Sequence, residues 1–165
     1  MRMHLRPVIA ILWLLGLGLP GWGIAGAGAA SAAELFTKSK SGSFEDVKFD
    51  LTNAVIERGL VVDYTGSVAG MLDRTGADVG STKKLYRHAE YFVFCSAKLS
   101  RQMMEADPSN IGFCPFVVFI YERNDKPGEI IVGARPPTAR GDDPSRKALA
   151  EVEALLQGIV SDAVK

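Results

Sequence analysis

The sequence predicts an α+β fold: a single layer of about five strands covered mainly by helices, forming one domain over residues 33–165. Two observations carry this. Strand-like and helix-like stretches alternate in the order β-α-β-(α)-β-α-β-β-α, with no internal repeat. The chain that remains after a leader of 32 residues is 133 residues long, the size of one ordinary domain.

The leader reads as a signal peptide. Arg2 and Arg6 give a positive start, Val8 to Leu19 is apolar apart from Gly16 and Gly18, and GIAGAGAASAA leads into Glu34. Ala30-Ser31-Ala32 is the best A-x-A cleavage site, with Ala27-Gly28-Ala29 as an alternative. Pro7 to Ala33 is also long enough for an uncleaved membrane anchor, but its glycines, Pro20 and terminal alanines favour cleavage. The expected location is therefore periplasmic or secreted. Cleavage removes two basic residues, leaving 17 against 19 acidic ones. A slightly acidic body lacks the concentrated basic face that nucleic acid requires. No second apolar span follows, so no stable membrane span is expected after signal cleavage.

Leu35 to Ser41 alternates polar and apolar residues, as an edge strand does. Ser43 caps a helix with Asp46 three residues on, and Phe44, Val47, Leu51, Ala54 and Val55 recur on one face. Gly59 supplies a left-handed end. Leu60 to Tyr64 is a brief strand that Thr65 and Gly66 interrupt, and Ser67 caps a short helix through Leu72 or Asp73. Thr75 to Lys84 is a loop. Its Gly76 and Gly80 lack the GxxxxGK[ST] order of a phosphate loop. Tyr86 to Cys95 forms an aromatic strand. Its alternation sets His88, Glu90, Phe92 and Phe94 on one face and Ala89, Tyr91, Val93 and Cys95 on the other. Ser96 caps the next helix, with Leu99, Met103 and Ala106 inward, and Asp107-Pro108 stops it. Pro115 opens FVVFIYE, apolar on both faces and so central in the sheet. NDKPG turns the chain into the strand Glu129 to Ala134. Asp143 caps a last helix with Pro144 at its first position. Leu149, Val152, Leu156, Ile159 and Ala163 form its stripe, within a helix of about residues 143–163.

The helix-Gly59-strand opening, FVFCSAKLS, the helix ending ADPSN, and CPFVVFIYE followed by a turn and EIIVGA resemble the domain-of-unknown-function 302 family. The likeness covers about Leu35 to Pro137. It implies helices packed on a curved, mainly antiparallel sheet, with dimers among some members and no activity established for the class. Cys95 matches a position where members often carry Cys or Asn, and Pro115 matches a proline that opens the next strand. Many members carry a cysteine after that proline. Here Phe116 stands there and Cys114 precedes the proline.

Chemistry centres on the two cysteines. In an exported protein a disulfide is the first expectation, with a metal site or two inert buried thiols as the others. A bridge requires Cα atoms within about 7 Å. If the helix after Cys95 simply returns the chain, the strands run parallel and the thiols lie apart. If residues 108–113 carry the chain back, the strands run antiparallel and the thiols meet; six residues span about 20 Å. The resemblance favours the second arrangement. Cys95, Cys114, Met103, Met104 and His88 are the soft or borderline ligands nearby, and a set of Cys95, Cys114, Met103 and His88 would suit copper. No CxxC or CxxCH marks a redox pair or haem. Cys95, directly before the Ser96 cap, has the placement of a low-pKa thiol. Tyr86, Arg87 and Glu90, beside the glycine loop, are candidates for a small polar pocket. The favoured expectation is an exported non-enzymatic domain that needs no cofactor and binds a small ligand or protein, with a homodimer among the options. The rival is a copper- or thiol-handling accessory protein.

Overall fold

A computed structural model describes residues 35–165; the expected leader lies outside them. Strands β1 (Phe36–Ser41), β2 (Val62–Ser67), β3 (Tyr86–Phe94), β4 (Phe116–Arg123) and β5 (Glu129–Ala134) form one sheet in the order β1-β5-β4-β3-β2. Every neighbouring pair is antiparallel. β4 is central and β1 is an edge, as their patterns predict. Helices α1 (Phe44–Ile56), α2 (Val68–Thr75), α3 (Ala97–Ala106) and α4 (Asp143–Asp162) complete the α+β fold, together with a 3₁₀ turn at Pro108–Phe113.

The core lies between the sheet and α1, α3 and α4. Phe92 and Phe94 of β3, Phe116, Val118 and Ile120 of β4, and Ile130 and Val132 of β5 point into it. Across the layer they meet Leu51 and Val55 of α1, Met103 of α3, and Leu149, Val152, Leu156 and Ile159 of α4. Each such side chain contributes about 1.5–3 kcal/mol through removal from water. The alternate residues Tyr91, Val93, Val117, Phe119, Tyr121 and Ile131 are only half-buried. They project from the opposite face of the pleat. The helices thus cover one side of the sheet. The other side is the more open.

Local chemistry sets the element ends. Ser43, Ser67, Ser96 and Asp142 accept hydrogen bonds from the backbone N–H of Asp46, Gly70, Leu99 and Ser145. Such caps are each worth about 1 kcal/mol. For the last helix the cap is Asp142 and not Asp143, which moves Pro144 to the second position, where its missing N–H is equally harmless. Gly59 turns left-handed at φ 71° after α1. β2 departs from expectation, running to Ser67 through Thr65 and Gly66. Gly66 is a strand residue because the Tyr91 ring lies where its Cβ would be. α2 extends to Thr75. The 3₁₀ turn reverses the chain after α3 and makes β3 and β4 antiparallel. It is anchored by fully buried Asn110, whose Nδ2 donates to the Met103 carbonyl and to Ser145 Oγ, both at 2.9 Å. Among the described residues no helix is long and apolar enough to cross a membrane.

Candidate functional site

Two surface regions carry chemistry. The first is where β3 and β4 meet the 3₁₀ turn. Phe94 pairs with Phe116, so Cys95 falls beside Pro115 and next to Cys114. Both cysteines are free thiols, Cys95 exposed and Cys114 partly buried. They line one open hollow of about 550 Å³ with Leu60, Val61, Asp63, Ser100, Met104 and Ile111. Ser100 Oγ lies 3.2 Å from Cys114 Sγ. The Cys95 thiol is held above the ordinary range, first by desolvation and then by Cys114 and Asp63, whose charges disfavour a second anion there.

The second region is the open face. One row across the sheet reads Thr37, Gly133, Phe119, Tyr91, Gly66. The Phe119 ring covers Gly133 on β5 and the Tyr91 ring covers Gly66 on β2. The two rings therefore lean away from one another. Between them, above the small side chain of Ala89, opens a hollow of about 320 Å³ walled by Tyr86, Tyr91, Phe119 and Tyr121. Tyr86 and Tyr121 meet edge to face at 5.5 Å. They also border a second hollow of about 460 Å³, which Lys83, Lys84, Arg123 and Asn124 line. Asp125 neutralises Arg123, accepting from its Nε at 2.9 Å and raising the guanidinium pKa further. Lys83 and Lys84 form no ion pair among the described residues. An aromatic floor thus ends at a cationic rim.

The family model described as Domain of unknown function DUF302 matches residues 36–163. The chain belongs to this family. Its DUF302 region includes α4, so the family unit extends well past Pro137, where the motif likeness stops. Among curated proteins no relative matches. A solved structure, the uncharacterized conserved protein DUF302 from Bacillus stearothermophilus, is similar in fold. It shares 17% identity at a TM-score of 0.66, covering 81% of this chain and all of that one.

The DUF302 fold separates several residues that the sequence grouped. Met103 is wholly buried in the core, while its neighbour Met104 turns to the thiol hollow. Helical spacing explains this: Ala97, Ser100 and Met104 share the stripe facing the hollow, and Leu99 and Met103 face inward. His88 stacks on Phe44 at 4.6 Å, seven residues along β3 from Cys95. The copper set of Cys95, Cys114, Met103 and His88 is therefore not assembled. Nor does Cys95 show the lowered pKa that its place before a helix suggested: desolvation first, then Cys114 and Asp63, push it up.

The proposed polar pocket also divides. Arg87 lies 3.4 Å from Glu122, and Glu90 is held by Lys48 of α1 at 2.8 Å. Only Tyr86 and Glu90 border the aromatic hollow. A bulge between Tyr86 and His88 causes the split by rotating Arg87 toward Glu122. Sequence reasoning missed Phe119, Tyr121, Lys83 and Lys84. A signal was available: all four tyrosines of the chain, Tyr64, Tyr86, Tyr91 and Tyr121, fall in strand-like stretches.

Proposed function

We propose that this DUF302 protein is an exported binding domain whose ligand is a small anion with a flat apolar body, held on the open face of the sheet. The observation that carries the reading is the continuity of the aromatic hollow with the lysine rim through Tyr86 and Tyr121. Ligand pockets combine an apolar lining with a few polar groups that fix orientation. Here the rings of Tyr91, Phe119 and Tyr121 would cover the body of the ligand and Lys83 and Lys84 its charge. Export to the periplasm or medium is supported by the leader's charged start, apolar run and Ala30-Ser31-Ala32 site.

Both tryptophans, Trp13 and Trp22, lie in the leader, so cleaved protein emits through tyrosine alone. With Tyr64 lying 6.0 Å from Tyr91, all four tyrosines report on this face. The test is a titration of protein recovered from an exporting host with anilinonaphthalene sulfonate, an aromatic anion. Saturable binding at one site per chain, with energy transfer from tyrosine, is expected. Lys83→Glu/Lys84→Glu should weaken it about tenfold, equivalent to about 1.4 kcal/mol, and the remote Lys147→Glu should not. Equal affinity in all three proteins would contradict the reading. So would tyrosine emission that varies with protein concentration alone, which would mean that a second copy covers the face.

A further inference from the structure

The thiol hollow lies apart from the aromatic face and has a composition of its own. Three sulfur-bearing residues line it from three different elements: Cys95 from the end of β3, Cys114 from the end of the 3₁₀ turn, and Met104 from α3. We propose that Cys95, Cys114 and Met104 form a three-sulfur site for Cu(I) in the reduced protein.

Ligand softness supports the choice of ion. Thiolate and thioether together select Cu(I) over harder cations. Among the described residues no group of three His, Cys, Asp or Glu side chains is placed to hold a metal, so a zinc-like set is not offered at this hollow. The walls point the same way. Leu60, Val61 and Ile111 add apolar surface to the same hollow, with Val61 71% and Ile111 62% exposed. Apolar surface around such a site limits the access of water and of competing oxygen ligands to the ion. Ser100, within hydrogen-bond distance of Cys114 Sγ, is placed to donate to the thiolate and fix its direction.

The binding step balances simply. One Cu(I) ion displaces the two thiol protons to solvent, and two Cu–S(thiolate) bonds form with a third from the Met104 thioether. No electron is transferred. Oxidation to a Cys95–Cys114 disulfide is the competing fate in an exported protein. It needs an oxidant such as a disulfide-bearing protein, which would take up the two electrons and two protons.

The test uses the exported protein, reduced with a phosphine under anaerobic conditions and mixed with the coloured Cu(I) complex of bicinchoninate. The wild type is expected to withdraw one Cu(I) per chain. X-ray absorption should show three sulfur neighbours. Met104→Leu should keep the stoichiometry, lose at least about tenfold in affinity and show two sulfurs, while Met103→Leu should match the wild type. Cys114→Ser should withdraw none. Circular dichroism of each variant checks that it is folded. Failure of the wild type to compete for copper would overturn the proposal. So would a Met104→Leu variant identical to wild type in affinity and sulfur count, or a disulfide that persists in the reductant.

Discussion

Gly133→Ala is the substitution whose cost follows most directly from the open face. Gly133 sits in β5 between Phe119 of β4 and Thr37 of β1. A Cβ there would lie 2.7 Å from Phe119 Cε2 and 2.9 Å from Thr37 Cγ2, inside contact distance on both sides. The ring cannot yield toward Thr37, so it must swing off the strand and give up its cover. Overpacking of this kind costs about 1–3 kcal/mol. Replacing glycine in a strand returns about 0.5–1 kcal/mol of backbone entropy. The net expectation is a destabilisation of about 1–2 kcal/mol, read as a lower urea midpoint with unchanged slope. Phe119→Ala supplies the internal control. In that background the clash with the ring disappears and only Thr37 Cγ2 stays close, so Gly133→Ala should cost clearly less than in the wild type. A midpoint unchanged by Gly133→Ala in the wild type, or an equal loss in both backgrounds, would refute a Phe119 ring seated on Gly133.

Three further outcomes follow from the same structure. Met103→Ala should cost about 2–5 kcal/mol in a denaturant melt, as a cavity in the core does, whereas Met104→Ala, at a side chain only partly buried against the core, should cost clearly less, about 1 kcal/mol. In the reduced protein Cys95 should alkylate more slowly near pH 8 than a free thiol. Cys114→Ser and Asp63→Asn should each speed it, because both neighbours raise its pKa. Asp162 is held below the ordinary carboxylate range first by Lys165 and then by Arg58. A folded value below the unfolded one stabilises above the carboxylate range and is lost as pH falls through the folded value. Asp162→Asn should therefore lower the thermal midpoint at neutral pH, and the difference should close as pH falls through the folded carboxyl's lowered value.

The fold was largely readable because its signals are local. Serine and aspartate caps, the stripe of Leu149, Val152, Leu156 and Ile159, and the alternation of β3 each depend on a few neighbouring residues. Where the reading failed, the deciding partner was distant in sequence. Gly66 looks like a strand breaker until Tyr91 is placed over it, and Asn110 looks like a turn residue until Ser145 arrives from α4. The site was less legible for the same reason. Periodicity does separate Met103 from Met104, yet which of them meets a cysteine depends on where the 3₁₀ turn brings Cys114. The lysine rim lies in an aperiodic loop, and its continuity with Tyr121 exists only once β3 and β4 pair. Antiparallel pairing of those strands, left open by the residues and favoured by the family likeness, is what brings the thiols together.

The central claim is that the uncovered face of the sheet is the binding surface. Selectively labelled tyrosine and phenylalanine rings, followed by NMR as an aromatic sulfonate is added, test it most directly. The rings of Tyr86, Tyr91, Phe119 and Tyr121 should shift together and saturate, along with the backbone amides of Lys83 and Lys84. The core rings of Phe44, Phe94 and Phe116 should hold still. Shifts centred on Ile111 and Cys114, or none at saturating anion, would contradict it.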